Sequence, residues 1–67
     1  MNIHVNGKVV ECRGEDSTVA DLLEQLDIRT RFSVVELNRK ILNKEEYDKE
    51  RLQSGDSVEI VHFVGGG

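Results

Sequence analysis

The sequence has little of what several classes of protein require. Its 67 residues include one cysteine, Cys12, which excludes an internal disulfide and a cysteine-rich zinc site. No run of apolar residues is longer than two, which excludes a membrane-spanning helix and the apolar core of a signal peptide. A small domain without disulfides is typical of a reducing compartment, so we expect a cytoplasmic protein.

Positive charge is also scarce. Lysine and arginine together number 9 against 13 aspartates and glutamates, which gives a formal net charge of -4. Nucleic acids and anionic membrane surfaces select basic proteins, so we expect neither as a partner. An acidic surface favours a basic protein partner, because complementary charge accelerates association.

The chain is too short to enclose a large substrate. A sequence of this length predicts one domain, which buries only about 60% of its unfolded surface. A substrate pocket of about 300 Å³ or more does not fit in such a core. No P-loop is present, so the chain is not expected to bind ATP itself. His4 and His62 have no second histidine at metal spacing, so no metal site is predicted. We expect a monomer in isolation.

The first half of the chain predicts a hairpin followed by a helix. In residues 2–12, apolar and polar residues alternate on both sides of Asn6-Gly7. This dipeptide is the strongest two-residue hairpin signal, because both turn positions need a positive φ. Thr18 and Asp21 predict a capping box. Four apolar residues then follow at helical spacing, namely Val19, Leu22, Leu23 and Leu26. We expect this helix to end near Asp27.

The second half predicts more strands. The expected elements are a strand at 32–37, a turn at 38–40, a short strand at 41–42, a capped helical turn from 43, a turn at 54–56 and a last strand at 58–63. The alternation at 32–37 is blurred, which is typical of a strand covered on both faces. The order of elements predicts an α+β fold of the β-grasp, or ubiquitin-like, type, with a mixed sheet packed on one long helix.

The last strand also predicts a docking surface. If Val58 and Ile60 face the core, Val61 and Phe63 face away from the helix, beside Val64. An exposed apolar patch of this kind favours partner docking. The alternative is that loops or the C-terminal segment cover it.

The sequence ends in Gly65, Gly66 and Gly67. Glycine has no Cβ, so a glycine tail can enter a channel too narrow for side chains. We therefore expect a β-grasp domain at 1–64 and a flexible tail at 65–67, whose carboxylate at Gly67 reaches another enzyme's active site. The alternative is a frayed terminus or a cloning remnant without a role.

Three segments are similar to the ThiS family, the sulfur carrier proteins of thiamin biosynthesis, and the resemblance covers the whole chain. The segments are NIHVNGKVVEC, TVADLLEQL and VVELNRKILNKEEYDKERLQSGDSVEIVHFVGGG. The third is the most specific. It combines a turn that contains asparagine, a Gly-Asp pair before the last strand and an apolar run into the terminal glycines.

The resemblance implies a carrier protein and not an enzyme. In that family a ThiF-type adenylating enzyme uses ATP and magnesium to convert the terminal carboxylate into an acyl-adenylate. Sulfur from a persulfide donor displaces AMP, and the resulting thiocarboxylate gives sulfur to a ThiG-type thiazole synthase. The reacting carboxylate maps onto Gly67 and the second glycine onto Gly66, whereas Gly65 is an extra glycine. The carrier itself is expected to bind no cofactor.

Other functions remain open at this point. The related small subunits of molybdopterin synthase share the fold and the Gly-Gly end but are usually longer, so another sulfur pathway is possible. A ubiquitin-like modifier would instead join Gly67 to a lysine of a target, and an interaction module would not use the tail. Cys12 is interpreted as a small core residue, with a sulfur relay as the alternative.

Overall fold

The computed structural model describes residues 1–62, and within them a five-stranded mixed sheet packs against one α-helix. The strands are β1 (Asn2–Val5), β2 (Lys8–Glu11), β3 (Ser33–Leu37), β4 (Lys40–Ile41) and β5 (Ser57–His62), and the helix is α1 (Val19–Gln25). Short 3₁₀ turns occupy Thr30–Phe32 and Lys44–Glu46. The strand order is β2-β1-β5-β3-β4, with β1 and β5 parallel and the other neighbours antiparallel. The predicted α+β, β-grasp arrangement is confirmed.

The first hairpin forms as its turn sequence predicts. Asn6 and Gly7 have φ values of 49° and 83°, the left-handed conformation that this two-residue turn requires. The resulting register places Ile3 opposite Val10 and His4 opposite Val9. Ile3 is fully buried and Val9 is 64% exposed, so the two faces of the hairpin are clearly different.

The helix begins at the predicted capping box. The Thr18 hydroxyl accepts a hydrogen bond from the Asp21 amide at 3.2 Å, and the Asp21 carboxylate accepts one from the Thr18 amide at 2.9 Å. However, α1 has only 7 residues, so the expectation of one long helix was wrong. Within residues 1–62 no helix is long and apolar enough to cross a membrane.

The helix ends near Asp27, as predicted, because the backbone at Asp27 turns left-handed, with φ 57°. The Ile28 amide donates to the Leu23 carbonyl at 2.9 Å, and the Asp27 amide donates to the Glu24 carbonyl at 3.0 Å. This pair of bonds is the Schellman motif, which satisfies carbonyls at a helix C-terminus. Glycine usually holds the left-handed position of this motif, and here it is an aspartate.

The core lies between α1 and one face of the sheet. Its buried side chains come from every part of the chain: Ile3, Val5, Cys12, Val19, Leu22, Leu23, Val35, Leu42, Tyr47, Leu52, Val58 and Ile60. On β3, Val35 is fully buried whereas Val34 is 37% exposed. The expectation that this strand is covered on both faces was therefore wrong for the described part of the chain. Phe32, expected in the strand, lies in the 3₁₀ turn before it and is 43% exposed.

Candidate functional site

Most of the residues singled out for function lie beyond the described part of the chain. Phe63, Val64, Gly65, Gly66 and Gly67 are outside residues 1–62, so their predicted roles stay predictions. The structure describes the strand that leads to them. β5 runs through the middle of the sheet, between β1 and β3, and His62 is its last described residue.

The side chains of β5 alternate as predicted. Val58 and Ile60 are buried, at 1% and 6% exposure, whereas Val61 is 55% exposed. The pairing with β3 extends from Leu37 opposite Val58 to Ser33 opposite His62. β3 therefore holds β5 from Val58 to its last described residue, His62.

Asn6 attaches the hairpin turn to β5. Its backbone amide donates to the Val58 carbonyl at 2.9 Å, which continues the parallel pairing of β1 with β5. Its side-chain Oδ1 accepts from the Ile60 amide at 2.7 Å, and its Nδ2 donates to the Ile60 carbonyl at 3.1 Å. The backbone turns away at Asn6, so its side-chain amide supplies the next pair of bonds to β5.

A second asparagine fixes the start of β5. The Asn38 Oδ1 accepts from the Ser57 amide at 2.9 Å, and its Nδ2 donates to Asp56 Oδ1 at 3.1 Å. Asp56 also accepts from the Gln53 amide at 2.7 Å. The sequence indicated Asn6 and Asn38 only as turn residues. Their contacts with β5 join positions far apart in the chain, and no local pattern predicts such contacts.

The face of the sheet opposite α1 carries exposed apolar side chains, the exposed Glu59 and the half-buried Glu36. Here the term outer face denotes five of these residues: Val34, Glu36, Ile41, Glu59 and Val61. Between β3 and β5, Val34 lies opposite Val61 and Glu36 lies opposite Glu59. Between β3 and β4, Ile41 lies opposite Glu36. Val34, Ile41 and Val61 are exposed by 37%, 65% and 55%.

Val61, predicted as a docking residue, thus lies in a larger apolar group that the sequence reasoning did not find. The missing signal was the register of the sheet, which brings residues from β3, β4 and β5 side by side. Val34 was not singled out because it precedes another valine, so the alternation along β3 was obscured.

The other candidates for chemistry have structural surroundings. Cys12 is 2% exposed, and burial raises the pKa of its thiol because the charged thiolate is poorly solvated there. These are the surroundings of a core residue and not of a sulfur nucleophile. His4 and His62 are exposed. Within residues 1–62, no three His, Cys, Asp or Glu side chains are grouped as a metal ion would require.

An open groove of about 240 Å³ lies beside α1, lined in part by Arg13, Asp21 and Gln25. Two of these side chains are already engaged. Asp21 caps the helix, and Gln25 donates to the Glu11 carbonyl and accepts from the Arg13 amide. The Gln25 side chain in this groove therefore serves to hold the helix to the end of the hairpin.

Comparison with known proteins gives the family. The model of the ThiS family matches residues 3–67. The sulfur carrier protein ThiS of Bacillus subtilis is 40% identical over 65 residues, which cover 97% of this chain and 98% of that protein. The chain belongs to the ThiS family. The resemblance noted from the sequence is confirmed, and the chain is a small sulfur carrier protein of thiamin biosynthesis.

Two further similarities bear on this ThiS-family protein. The crystal structure of ThiS from Geobacter metallireducens has a TM-score of 0.84 to it at 39% identity, with both chains covered completely. A protein of Magnetococcus marinus named thiazole synthase is 34% identical over 67 residues, which are 100% of this chain but only 20% of that protein. That synthase therefore contains a segment similar to the whole of this ThiS-family chain.

Proposed function

We propose that the carboxylate of Gly67 is the sulfur-carrying group of this protein and becomes a thiocarboxylate. The observation that carries the proposal is the extent of the family match, which runs through the three glycines to residue 67. The protein is then a co-substrate of other enzymes and not a catalyst itself. We place it in the cytoplasm, where its single cysteine stays reduced.

A carboxylate must be activated before sulfur can replace its oxygen. In this proposal a ThiF-type enzyme binds ATP and magnesium and joins the Gly67 carboxylate to AMP, with release of pyrophosphate. The terminal sulfur of a persulfide attacks the acyl carbon, and AMP leaves. The product is an acyl disulfide, and a thiol then attacks the S–S bond that came from the persulfide, which forms a mixed disulfide with the donor and leaves the thiocarboxylate on Gly67. Thiocarboxylate sulfur is a softer nucleophile than carboxylate oxygen, as a thiolate is.

The acceptor in this proposal is a ThiG-type thiazole synthase. Support comes from the Magnetococcus protein, in which a segment similar to this chain is part of a protein named thiazole synthase. A covalent connection of that kind keeps a carrier and its acceptor at high effective concentration. A separate carrier must instead recognise the synthase through its own surface.

The test is intact-protein mass spectrometry after incubation with ATP, magnesium, a ThiF-type enzyme, a persulfide donor and a thiol. Replacing one oxygen by sulfur adds roughly 16 Da, which oxidation of Met1 or Cys12 also adds, so fragmentation must place the change at Gly67. We expect the change to require ATP and to be absent from a chain that lacks Gly66 and Gly67. An unmodified Gly67, in the presence of enzymes that convert a known carrier, would overturn the proposal.

A further inference from the structure

On its β1 side, β5 is held by a backbone neighbour only as far as Val58. The last pair of the parallel register is Val5 opposite Val58, and the Asn6 amide adds one bond to the Val58 carbonyl. The chain then turns at Asn6 into β2, so β1 gives no further backbone partner to β5. On its other side β5 stays paired with β3 as far as His62. The end of β5 that leads to the terminal glycines thus has a backbone neighbour on one side only.

The side chain of Asn6 replaces the missing neighbour for one more pair of bonds. Its Oδ1 accepts from the Ile60 amide at 2.7 Å, and its Nδ2 donates to the Ile60 carbonyl at 3.1 Å. Within residues 1–62, no bond from the β1 side reaches β5 beyond Ile60. Ile60 precedes Gly67 by seven residues. The direction in which the strand leaves the sheet is therefore fixed on both sides up to Ile60, and Asn6 supplies the second side.

We propose that Asn6 is a positioning residue for the reaction at Gly67, because its side chain fixes the end of the strand that leads to the reacting carboxylate. This inference rests on the proposed function. In adenylation the carboxylate oxygen attacks the α-phosphorus of ATP and pyrophosphate leaves. A displacement of about 1 Å that originates far from the chemistry can lower the rate of such a step roughly a hundredfold. Asn6 acts through Ile60 and not by contact with ATP or the carboxylate.

Asn38 is the matched residue at the other end of β5. It lies in the turn between β3 and β4 with a φ of 49°, the same value as at Asn6. Its amide donates to the Ser57 carbonyl at 2.8 Å, and its side chain bonds to the Ser57 amide and to Asp56. Ser57 begins β5, whereas Ile60 lies three residues further along. The two asparagines thus make similar bonds to one strand and differ in which end they hold.

The test compares Asn6→Gly with Asn38→Gly in the full chain. Glycine adopts the left-handed backbone without steric cost, so each variant keeps its turn and loses two side-chain hydrogen bonds. Both variants also gain similar freedom in the unfolded chain, since the substitution is the same. Pyrophosphate release by a ThiF-type enzyme, at varied carrier concentration, gives kcat and KM. The assay temperature is one at which urea titration shows each variant to be at least about 95% folded.

We expect the two variants to lose stability alike but to differ in catalysis. For Asn6→Gly, kcat should fall at least about fivefold while KM changes less than about twofold, because the surface of the domain is kept and the carboxylate is less often in place. For Asn38→Gly, neither constant should change more than about twofold. Amide hydrogen exchange should become faster at Ile60 in the first variant and at Ser57 in the second, which shows that each loss is local.

Asn6→Asp is a second variant that keeps half of the contact. Its carboxylate can still accept from the Ile60 amide but cannot donate to the Ile60 carbonyl. Its kcat should therefore lie between those of the wild type and Asn6→Gly. This variant also tests the inference by itself if Asn6→Gly does not fold, because a folded Asn6→Asp protein with the wild-type kcat would contradict it.

Three results would overturn the inference. A folded Asn6→Gly protein with the wild-type kcat would show that the end of β5 needs no second hold. Equal losses of kcat in Asn6→Gly and Asn38→Gly would show only a general effect of loosening β5. A rise in KM alone would make Asn6 a binding contact and not a positioning residue. In all three cases adenylation of the wild type leaves the proposed function standing. If the wild type releases no pyrophosphate with an enzyme that adenylates a known carrier, the proposed function itself fails.

Discussion

The side chain of Asn6 forms two hydrogen bonds with the backbone of Ile60, a residue 54 positions later in the chain. One amide thereby supplies both a donor and an acceptor to β5, near the point where this strand leads to the last five residues. Asn6 thus serves two purposes, since its own backbone also adopts the left-handed conformation that the hairpin turn requires. An asparagine suits both, because it tolerates this conformation and its amide both donates and accepts.

Asn6→Asp should therefore destabilise the protein although it is nearly isosteric. A carboxylate can accept from the Ile60 amide but cannot donate to the Ile60 carbonyl, which then lies beside a negative charge. We expect a loss of about 1–3 kcal/mol in the free energy of unfolding, measured by urea denaturation. Asn43→Asp is the control, since Asn43 is the N-cap of the second 3₁₀ turn, where aspartate caps as well as asparagine. Equal effects of the two substitutions would contradict the role given to the Asn6 donor.

Val34 and Val35 are neighbours in sequence but face opposite sides of β3. Val34→Thr should cost less than about 1 kcal/mol, because its side chain is partly in water and contributes mainly to a cross-strand pair. Val35→Thr buries a hydroxyl in the core and should cost about 1–3 kcal/mol. Urea denaturation of both variants decides the matter. Similar costs would mean that Val34 is covered, and the outer face would then not be open for docking.

Asp27 occupies the left-handed position that ends α1. Asp27→Gly should raise the free energy of unfolding by up to about 1 kcal/mol, since glycine adopts this conformation without steric cost. Asp48→Gly is a suitable control, because Asp48 is also exposed but is not among the residues with positive φ. We expect no gain from the control. Thermal unfolding of the two variants measures the difference, and a destabilised Asp27→Gly protein would contradict this account of the helix end.

The features that the sequence predicted correctly depend on residues close together in the chain. The Asn6-Gly7 turn and the capping box of Thr18 and Asp21 are both complete within four residues, so their chemistry can be read locally. The family was recognisable for a different reason, because similar segments extend over the whole chain. The end of α1 near Asp27 was also predicted correctly, whereas its left-handed backbone was not, because aspartate and not glycine occupies that position.

The outer face could not be predicted because it depends on strand register. Glu36 and Glu59 are ordinary charged residues in the sequence, and only the pairing of β3 with β5 places them opposite each other. Contacts of this kind join residues more than twenty positions apart. The predicted docking surface at the end of β5 was therefore incomplete, since it contained Val61 but neither Val34 nor Ile41.

The buried thiol of Cys12 should make stability depend on alkaline pH. Burial raises its pKa in the folded protein, so the unfolded chain loses this proton at a lower pH, near the ordinary thiol value of about 8.5. The contribution of Cys12 is fully present below that value and is lost as the pH rises above it. In urea titrations between about pH 7 and 10, the free energy of unfolding should fall more steeply with pH for the wild type than for Cys12→Ala. Identical pH profiles would mean that the thiol is not protected by burial.

The same substitution separates a core role for Cys12 from a sulfur relay. Cys12→Ala should form the thiocarboxylate at Gly67 as completely as the wild type, measured by the mass change in the C-terminal fragment. Its free energy of unfolding should fall, because the smaller side chain leaves a small cavity in the core. Loss of thiocarboxylate formation in a folded variant would identify Cys12 as a participant in sulfur transfer.

The size of the side chain at position 66 tests whether the tail enters a narrow channel. A methyl or isopropyl group on the tail would hold the Gly67 carboxylate away from the reacting phosphate, and displacements of about 1 Å can cost roughly a hundredfold in rate. We therefore expect adenylation to slow from the wild type to Gly66→Ala and further to Gly66→Val, measured as pyrophosphate released by a ThiF-type enzyme. Lys49→Ala, a change at an exposed residue of the domain, is the control. All three variants should have the same unfolding midpoint as the wild type to within a few tenths of a molar of urea, since the domain is predicted to end before position 66 and Lys49 is exposed. Adenylation of Gly66→Val at the wild-type rate would show that the enzyme does not require a tail free of side chains, and the terminal glycines would then need another explanation.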